Sequence, residues 1–79
     1  MAFSVGERVS WQGMPGTVTR IPHNDKRVAF VRFGDGDTEL FFTVRRDGVY
    51  RLFPGPADGT GLRAMTVAEI AFDTKPVYV

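Results

Sequence analysis

The sequence predicts an all-β fold, a small barrel of five or six short strands with one short helical turn near the C-terminus. Short runs rich in valine and phenylalanine recur at intervals of about ten residues. Glycine, proline and aspartate separate these runs, as is typical of tight turns between antiparallel strands. The 79 residues predict a single domain, 1–79, because a chain of this length has no room for a second apolar core.

The clearest element is a hairpin between residues 27 and 44. Both of its arms are dominated by β-branched and aromatic residues, which pack well on a pleated surface. Gly34 and Gly36 lie between the arms and accept the positive φ that a tight connection requires.

Two strands are predicted upstream of this hairpin. Val9 and Trp11 alternate with polar residues, which predicts a strand over residues 7–12 with both side chains on one face. Segment 13–16 contains a proline and two glycines and therefore predicts a turn. Residues 17–21 are then expected to form the return strand.

Downstream, a turn at 45–48 leads into a fifth predicted strand, 49–53, which pairs most simply with the strand before it. Segment 54–61 holds two prolines and three glycines, so it is expected to be an irregular loop and a candidate hinge or lid.

The C-terminal part predicts a helical turn and a last strand. Thr66 and Glu69 have the spacing of a capping box, which predicts a short helix through Phe72. Pro76 is expected to end it. Residues 77–79 are expected either to close the sheet as a short strand or to fray.

The period-two pattern also predicts which side chains form the core. These residues are Val9, Val18, Val31, Phe33, Leu40, Phe42 and Val49.

The composition narrows the functional classes. Ten Lys and Arg against nine Asp and Glu give a net charge of +1, too balanced to predict polyanion binding from bulk charge alone. Eight of the ten cations are arginine, which binds phosphates and stacks on aromatic planes, so a recognition surface is favoured over simple solubility. The alternative is a set of solvated strand edges with exposed ion pairs. Cysteine is absent, and no secretory or membrane-spanning pattern is found, so we expect a soluble, cytoplasmic protein.

Catalytic and metal-binding patterns are scarce. His23 is the only histidine and lies in a predicted loop, where a solvated role is more common than a catalytic one. Asp35, Asp37 and Glu39 are close in sequence, but aspartates in a β-turn usually bond their own backbone. We therefore expect no catalytic residue, no metal site, no cofactor and no small-molecule substrate, although an active site at an oligomer axis remains an alternative.

Residues 5–9, Trp11, 16–18, 28–33 and 34–37 together resemble the "G-x-x-V … G-x-V … V-x-V-x-F-x-D-G" pattern of Tudor and KOW-type SH3-like barrels. The resemblance covers about half the chain, residues 5–44. It implies a five- to six-stranded SH3-like barrel that recognises a partner, such as a methylated side chain, a nucleic acid or a peptide.

In methyl-lysine Tudor barrels, aromatic faces form a cage around the ligand ammonium, and the resemblance places Trp11, Phe33 and Phe41 near the cage positions. The second strand departs from the pattern, since Pro15 occupies the place of an expected aromatic residue. The alternative is that Trp11 and Phe33 simply fill the core of a small domain.

Aromatic residues interleaved with arginine also favour nucleic-acid binding, because bases stack on rings while guanidinium groups bind phosphates. We therefore predict a non-catalytic recognition module that binds nucleic acid or a nucleic-acid-associated protein through an aromatic and arginine rim. The predicted ligand-binding residues are Trp11, Phe33, Phe41, Arg32, Arg45, Arg46, Tyr50 and Arg51.

The strands between residues 27 and 53 carry more apolar side chains than one buried face accommodates. The helical turn, with Ile70 and Phe72, is expected to cover the excess. Alternatively, Phe30, Phe41 and Leu52 form an interface, and the protein is a small structural or regulatory accessory protein acting through homo-oligomerisation or a protein partner.

Overall fold

The computed structural model describes residues 3–34 and 36–73. Within these ranges the chain forms a curled half-barrel of six antiparallel strands and one short helix, which confirms the predicted β class. The elements are β1 (Arg8–Trp11), β2 (Met14–Arg20), β3 (Val28–Phe33), β4 (Glu39–Val44), β5 (Tyr50–Leu52), β6 (Arg63–Ala64) and α1 (Val67–Asp73).

The strand order is β5-β4-β3-β2-β1-β6, so the first five strands form an antiparallel meander and β6 returns beside β1. The chain leading into β6 also contacts the opposite edge of the sheet. Gly61 forms a β-bridge with Arg51, and the Leu62 amide donates to the Tyr50 carbonyl at 2.8 Å. Residues 61–64 therefore contact β5 at one edge of the sheet and β1 at the other, and the sheet bends around its core.

The turn between β1 and β2 differs from the prediction by about two residues. Trp11 pairs with Met14, which leaves Gln12 and Gly13 as a two-residue connection. Both have positive φ, 53° and 77°, as a type I′ hairpin turn requires. The proline at position 15 lies in β2 and is not part of the turn, because the chain already reverses direction at Gln12 and Gly13.

The inner face of the sheet holds a continuous apolar core, with Phe42 fully buried at its centre. The fully buried predicted residues are Val9, Val18, Val31 and Phe42, and Phe33 and Leu40 pack against them partly buried. Val49 is half-buried and lies outside this cluster. The β4–β5 register places Tyr50 opposite Val44, so Tyr50 is the inward residue there.

The predicted capping box is present at the start of α1. The Glu69 amide donates to Thr66 Oγ1 at 3.1 Å, and the Thr66 amide donates to Glu69 Oε1 at 2.9 Å. The strand that precedes this helix, β6, was not predicted. Pro76 and the proposed strand at 77–79 lie outside the described residues.

The glycine- and proline-rich loop is held to the sheet at several points. Trp11 Nε1 donates to the Thr60 carbonyl at 3.1 Å, and Arg51 Nε donates to the Gly59 carbonyl at 2.6 Å. Arg45 Nη2 donates to the Gly55 carbonyl at 3.0 Å. These contacts fix the loop beside β5.

Candidate functional site

A row of aromatic rings crosses the outer face of the sheet from β3 to the end of β5. Phe30 and Phe41 are cross-strand partners with ring centroids 5.2 Å apart in an edge-to-face arrangement. Phe41 then contacts Phe53 at 5.7 Å. We call Phe30, Phe41 and Phe53 the phenylalanine row. Phe53 is 51% exposed, whereas the other two rings are half-buried.

An arginine lies at each end of the phenylalanine row. The register between β2 and β3 shifts after Val18, and this irregularity places Arg20 opposite Phe30. The Arg20 guanidinium lies over the Phe30 ring, 4.1 Å from its centroid. At the other end, the Arg45 guanidinium is 6.0 Å from the Phe53 centroid, near the limit for a cation–π contact.

Further cationic groups near the row have no acidic partner among the described residues. Arg32 lies on β3 two residues beyond Phe30, and Arg46 follows β4; both are exposed and have no ion pair or hydrogen bond within the described ranges. Arg20 is 3.9 Å from Glu39, a long and exposed contact that contributes little. The outer face therefore combines apolar rings with available guanidinium groups.

The predicted cage residues lie on opposite faces of the sheet. Trp11 and Phe33 pack on the inner side, with Trp11 5.5 Å from Phe42 and 5.7 Å from Phe33. Phe41 belongs to the outer row. Because successive residues of a strand point to opposite faces, Phe41 cannot join the other two around one ligand. The packing matches the alternative in which Trp11 and Phe33 extend the core.

Two other predicted ligand-binding residues have structural partners. Tyr50 is buried, and its hydroxyl donates to the Lys26 carbonyl at 2.8 Å. Burial raises the pKa of Tyr50 above its ordinary value. Arg51 donates to both carboxylate oxygens of Asp47 and to the loop. Neither side chain is available to a partner on the outer face.

The sequence did not point to Arg20 or Phe53 as members of this surface. Arg20 shares the outer face with Phe30 only because of the irregularity in β2, which no local pattern indicated. Phe53 was placed in the fifth strand, but its contact with Phe41 depends on β4–β5 pairing, in which the Phe53 amide donates to the Phe41 carbonyl at 2.9 Å. The register of the β4–β5 hairpin is the information that places Phe53 beside Phe41.

Acidic residues neutralise most arginines away from the row. Arg8 pairs with Asp73, Arg63 pairs with Glu69 at 2.6 Å, and Arg27 bonds Asp25 at 3.2 Å. Hydrogen bonds from Arg63 and from the Thr66 amide lower the pKa of Glu69 to about 2.

Within residues 3–34 and 36–73, no three acidic or histidine side chains are grouped as metal ligands, and no helix has the length and apolarity to cross a bilayer.

A groove of about 440 Å³ separates α1 from the β1–β2 hairpin, with Pro15, Ala68 and Phe72 among its walls. Phe72 is 83% exposed and Val67 is 85% exposed. Phe72 thus lines this groove and does not cover the phenylalanine row, contrary to the expectation from the sequence.

Comparisons of the chain with family models, with curated proteins and with solved structures gave no match.

Proposed function

We propose that the protein is a non-catalytic recognition module that binds single-stranded nucleic acid on the outer face of its sheet. The observation that carries the proposal is the phenylalanine row with an arginine at each end. The residue pattern over 5–44 supports an SH3-like identity for the curled sheet as part of the same proposal.

Stacking is the main source of affinity in this proposal. Every nucleobase has a π face, so a series of phenylalanine rings binds bases with little dependence on sequence. Phe53 is the most exposed of the three rings and offers a base the largest area. The Phe30 face is occupied by Arg20, but a guanidinium plane itself accepts a stacked base.

Electrostatics supply a smaller, salt-dependent contribution. The net charge of +1 and the many internal ion pairs argue against a broad basic surface. Arg32 and Arg46 remain available near the row. Each phosphate that such a residue neutralises adds about 0.7 to the slope of log affinity against log salt for a single strand.

The test compares Phe53→Ala with Phe72→Ala, which removes an even more exposed ring from the opposite part of the molecule. Binding of a labelled oligothymidylate of about 12 nucleotides is followed by fluorescence anisotropy at low salt. We expect Phe53→Ala to weaken binding by about 5- to 150-fold, the equivalent of 1–3 kcal/mol per stacked base, and Phe72→Ala to leave it unchanged. Absence of wild-type binding, or equal loss in both variants, would contradict the proposal.

A second candidate function is self-association through α1, which carries the exposed side chains of Val67 and Phe72 beside the groove. A net charge close to zero opposes association only weakly. This version of the accessory-protein alternative uses α1, since Leu52 packs against the inner core and does not share a surface with Phe30 and Phe41. Light scattering at micromolar concentration tests it: a dimer that becomes a monomer in Phe72→Ala supports it, and a monomeric wild type excludes it.

A further inference from the structure

We propose that a hollow beside the turn between β4 and β5 is a phosphate-binding subsite. The hollow measures about 400 Å³ and is lined by Arg45, Arg46, Asp47 and Ala57. We call it the turn hollow. The inference rests on the proposed function, because it assigns the phosphate groups of a bound strand to one end of the phenylalanine row.

Arg45 supplies a fixed cation to the turn hollow. Its Nη2 atom donates to the Gly55 carbonyl at 3.0 Å, which holds the guanidinium in place without neutralising it. Its Nε atom is enclosed and has no hydrogen-bond partner within the described residues. No carboxylate there lies within ion-pair distance of Arg45. The guanidinium charge of Arg45 therefore has no acidic partner in this part of the structure and attracts an anion that enters the turn hollow.

Asp47 is the acidic residue of the turn hollow, but its carboxylate is already occupied. Arg51 Nη1 donates to both of its oxygens, at 2.8 and 3.0 Å, and the Val49 amide donates to Oδ1 at 3.1 Å. These hydrogen bonds lower the pKa of Asp47, the backbone bond from Val49 contributing most. Asp47 is thus compensated by Arg51 and does not neutralise Arg45 or Arg46.

Arg46 completes the subsite as the exposed partner of Arg45. It is exposed and unpaired in the described part of the chain, so its fork of donors is free to close on a phosphate. The position suits a strand whose bases lie on the row, because the Arg45 guanidinium is 6.0 Å from the Phe53 ring centroid. The turn hollow begins where the phenylalanine row ends.

The first experiment measures affinity for the labelled oligothymidylate over a salt series. Arg46→Gln removes one free cation, and Arg63→Gln is the charge-matched control at β6, where Arg63 bonds Glu69. We expect Arg46→Gln to lower the salt slope by about 0.7 and the control to leave the slope unchanged. Strand binding with the same slope in wild type and Arg46→Gln would overturn the subsite while leaving the proposed function intact.

The second experiment separates a strand phosphate from a free phosphate compound. Inorganic pyrophosphate is titrated into the protein, and backbone amide signals of residues 45–48 are followed by NMR. Shifts that disappear in Arg46→Gln support the subsite, even if no strand binds and the proposed function fails. Absence of both strand binding and pyrophosphate shifts would overturn the subsite and the proposed function together.

Discussion

At the scale of single residues, Phe42 is the largest fully buried side chain in the described part of the chain. It is fully buried, and its ring contacts Trp11 at 5.5 Å and Phe33 at 6.1 Å. We expect Phe42→Ala to lower the free energy of unfolding by about 3–5 kcal/mol, since the surrounding side chains cannot refill the cavity. Urea denaturation measures this loss.

Phe72→Ala is the matched control, because the same ring is removed from an 83% exposed position. Its unfolding free energy should remain within about 0.5 kcal/mol of wild type. A similar loss in both variants would mean that burial in this structure does not determine the stability.

Gly16 is required by close packing. A Cβ atom at this position would lie 2.7 Å from two ring carbons of Phe33 and 2.9 Å from Val31 Cγ1. We expect Gly16→Ala to cost about 1–3 kcal/mol of unfolding free energy, because the Phe33 ring has to leave its place against Trp11. The measurement is thermal or urea unfolding of the purified variant.

Gly36→Ala serves as the comparison, since a Cβ there meets no atom closer than 4.0 Å. That variant should be as stable as wild type or more stable by about 0.4–1 kcal/mol, through the restricted unfolded chain. A neutral Gly16→Ala would show that the Phe33 ring does not pack on β2.

At the scale of elements, α1 depends on its cap and its ion pairs more than on burial, because none of its described side chains is buried. The folded helix keeps the pKa of Glu69 at about 2, below its ordinary value of 4.5. Because the pKa of Glu69 is lower in the folded helix than in the unfolded chain, its carboxylate stabilises the helix above pH 4.5. This contribution is lost as the pH falls toward 2 and the carboxylate is protonated. We expect the NMR signals of α1 to show melting in that interval.

Glu69→Gln should flatten the acid dependence of α1, because the amide does not titrate. Asp47→Asn is the control, since its carboxylate belongs to the β4–β5 turn and should leave the pH profile of α1 as in wild type. An unchanged acid transition in Glu69→Gln would remove Glu69 as its cause.

The β1–β2 turn is a second element with a local test. Gln12 adopts φ 53°, a conformation that asparagine and glycine tolerate better than glutamine. Gln12→Asn is expected to raise the free energy of unfolding by up to about 1 kcal/mol. Gly13→Ala should lower it by about 1–2 kcal/mol, because Gly13 has φ 77°. Opposite signs in urea denaturation verify the type I′ turn, and equal signs refute it.

At the scale of the whole molecule, the single tryptophan reports on the entire sheet. Trp11 contacts β3 and β4 through Phe33 and Phe42 and bonds the loop at Thr60. We expect urea unfolding followed by Trp11 fluorescence to coincide with far-ultraviolet circular dichroism, with a slope of about 1 kcal/mol per molar. Amide exchange should nevertheless be faster in α1 than in β3, because local opening is easiest where little is buried. Separate transitions would show that the sheet does not unfold as one unit.

Local patterns were sufficient for much of the fold. Alternation identified β1, and runs of β-branched and aromatic residues identified β3 and β4. The period-two pattern then placed Val9, Val31 and Phe42 on the inner face. The spacing of Thr66 and Glu69 was enough to predict the helix start, since both halves of a capping box lie within one turn.

The candidate site depended on contacts between distant parts of the chain. Phe53 joins the phenylalanine row through β4–β5 pairing, and Arg20 reaches Phe30 through the irregular register of β2. The separation of Trp11 from Phe41 likewise follows from which face each strand buries. A shift of one residue in register exchanges the faces, and the isolated sequence carries too little signal to fix it.

The sequence by itself determined the first five strand-forming segments, the approximate positions of the turns between them and the cap of α1, because these depend on backbone preferences over a few residues. Only the tertiary structure decided that β6 returns beside β1 and that Arg51 binds the carboxylate of Asp47. It also decided that Arg32 and Arg46 stay unpaired in the described chain. Edge pairing joins residues far apart in the chain, and its energy exists only once folding has brought those residues together. The Asp47–Arg51 ion pair spans only four residues, but it forms across the β4–β5 turn and therefore depends on that hairpin.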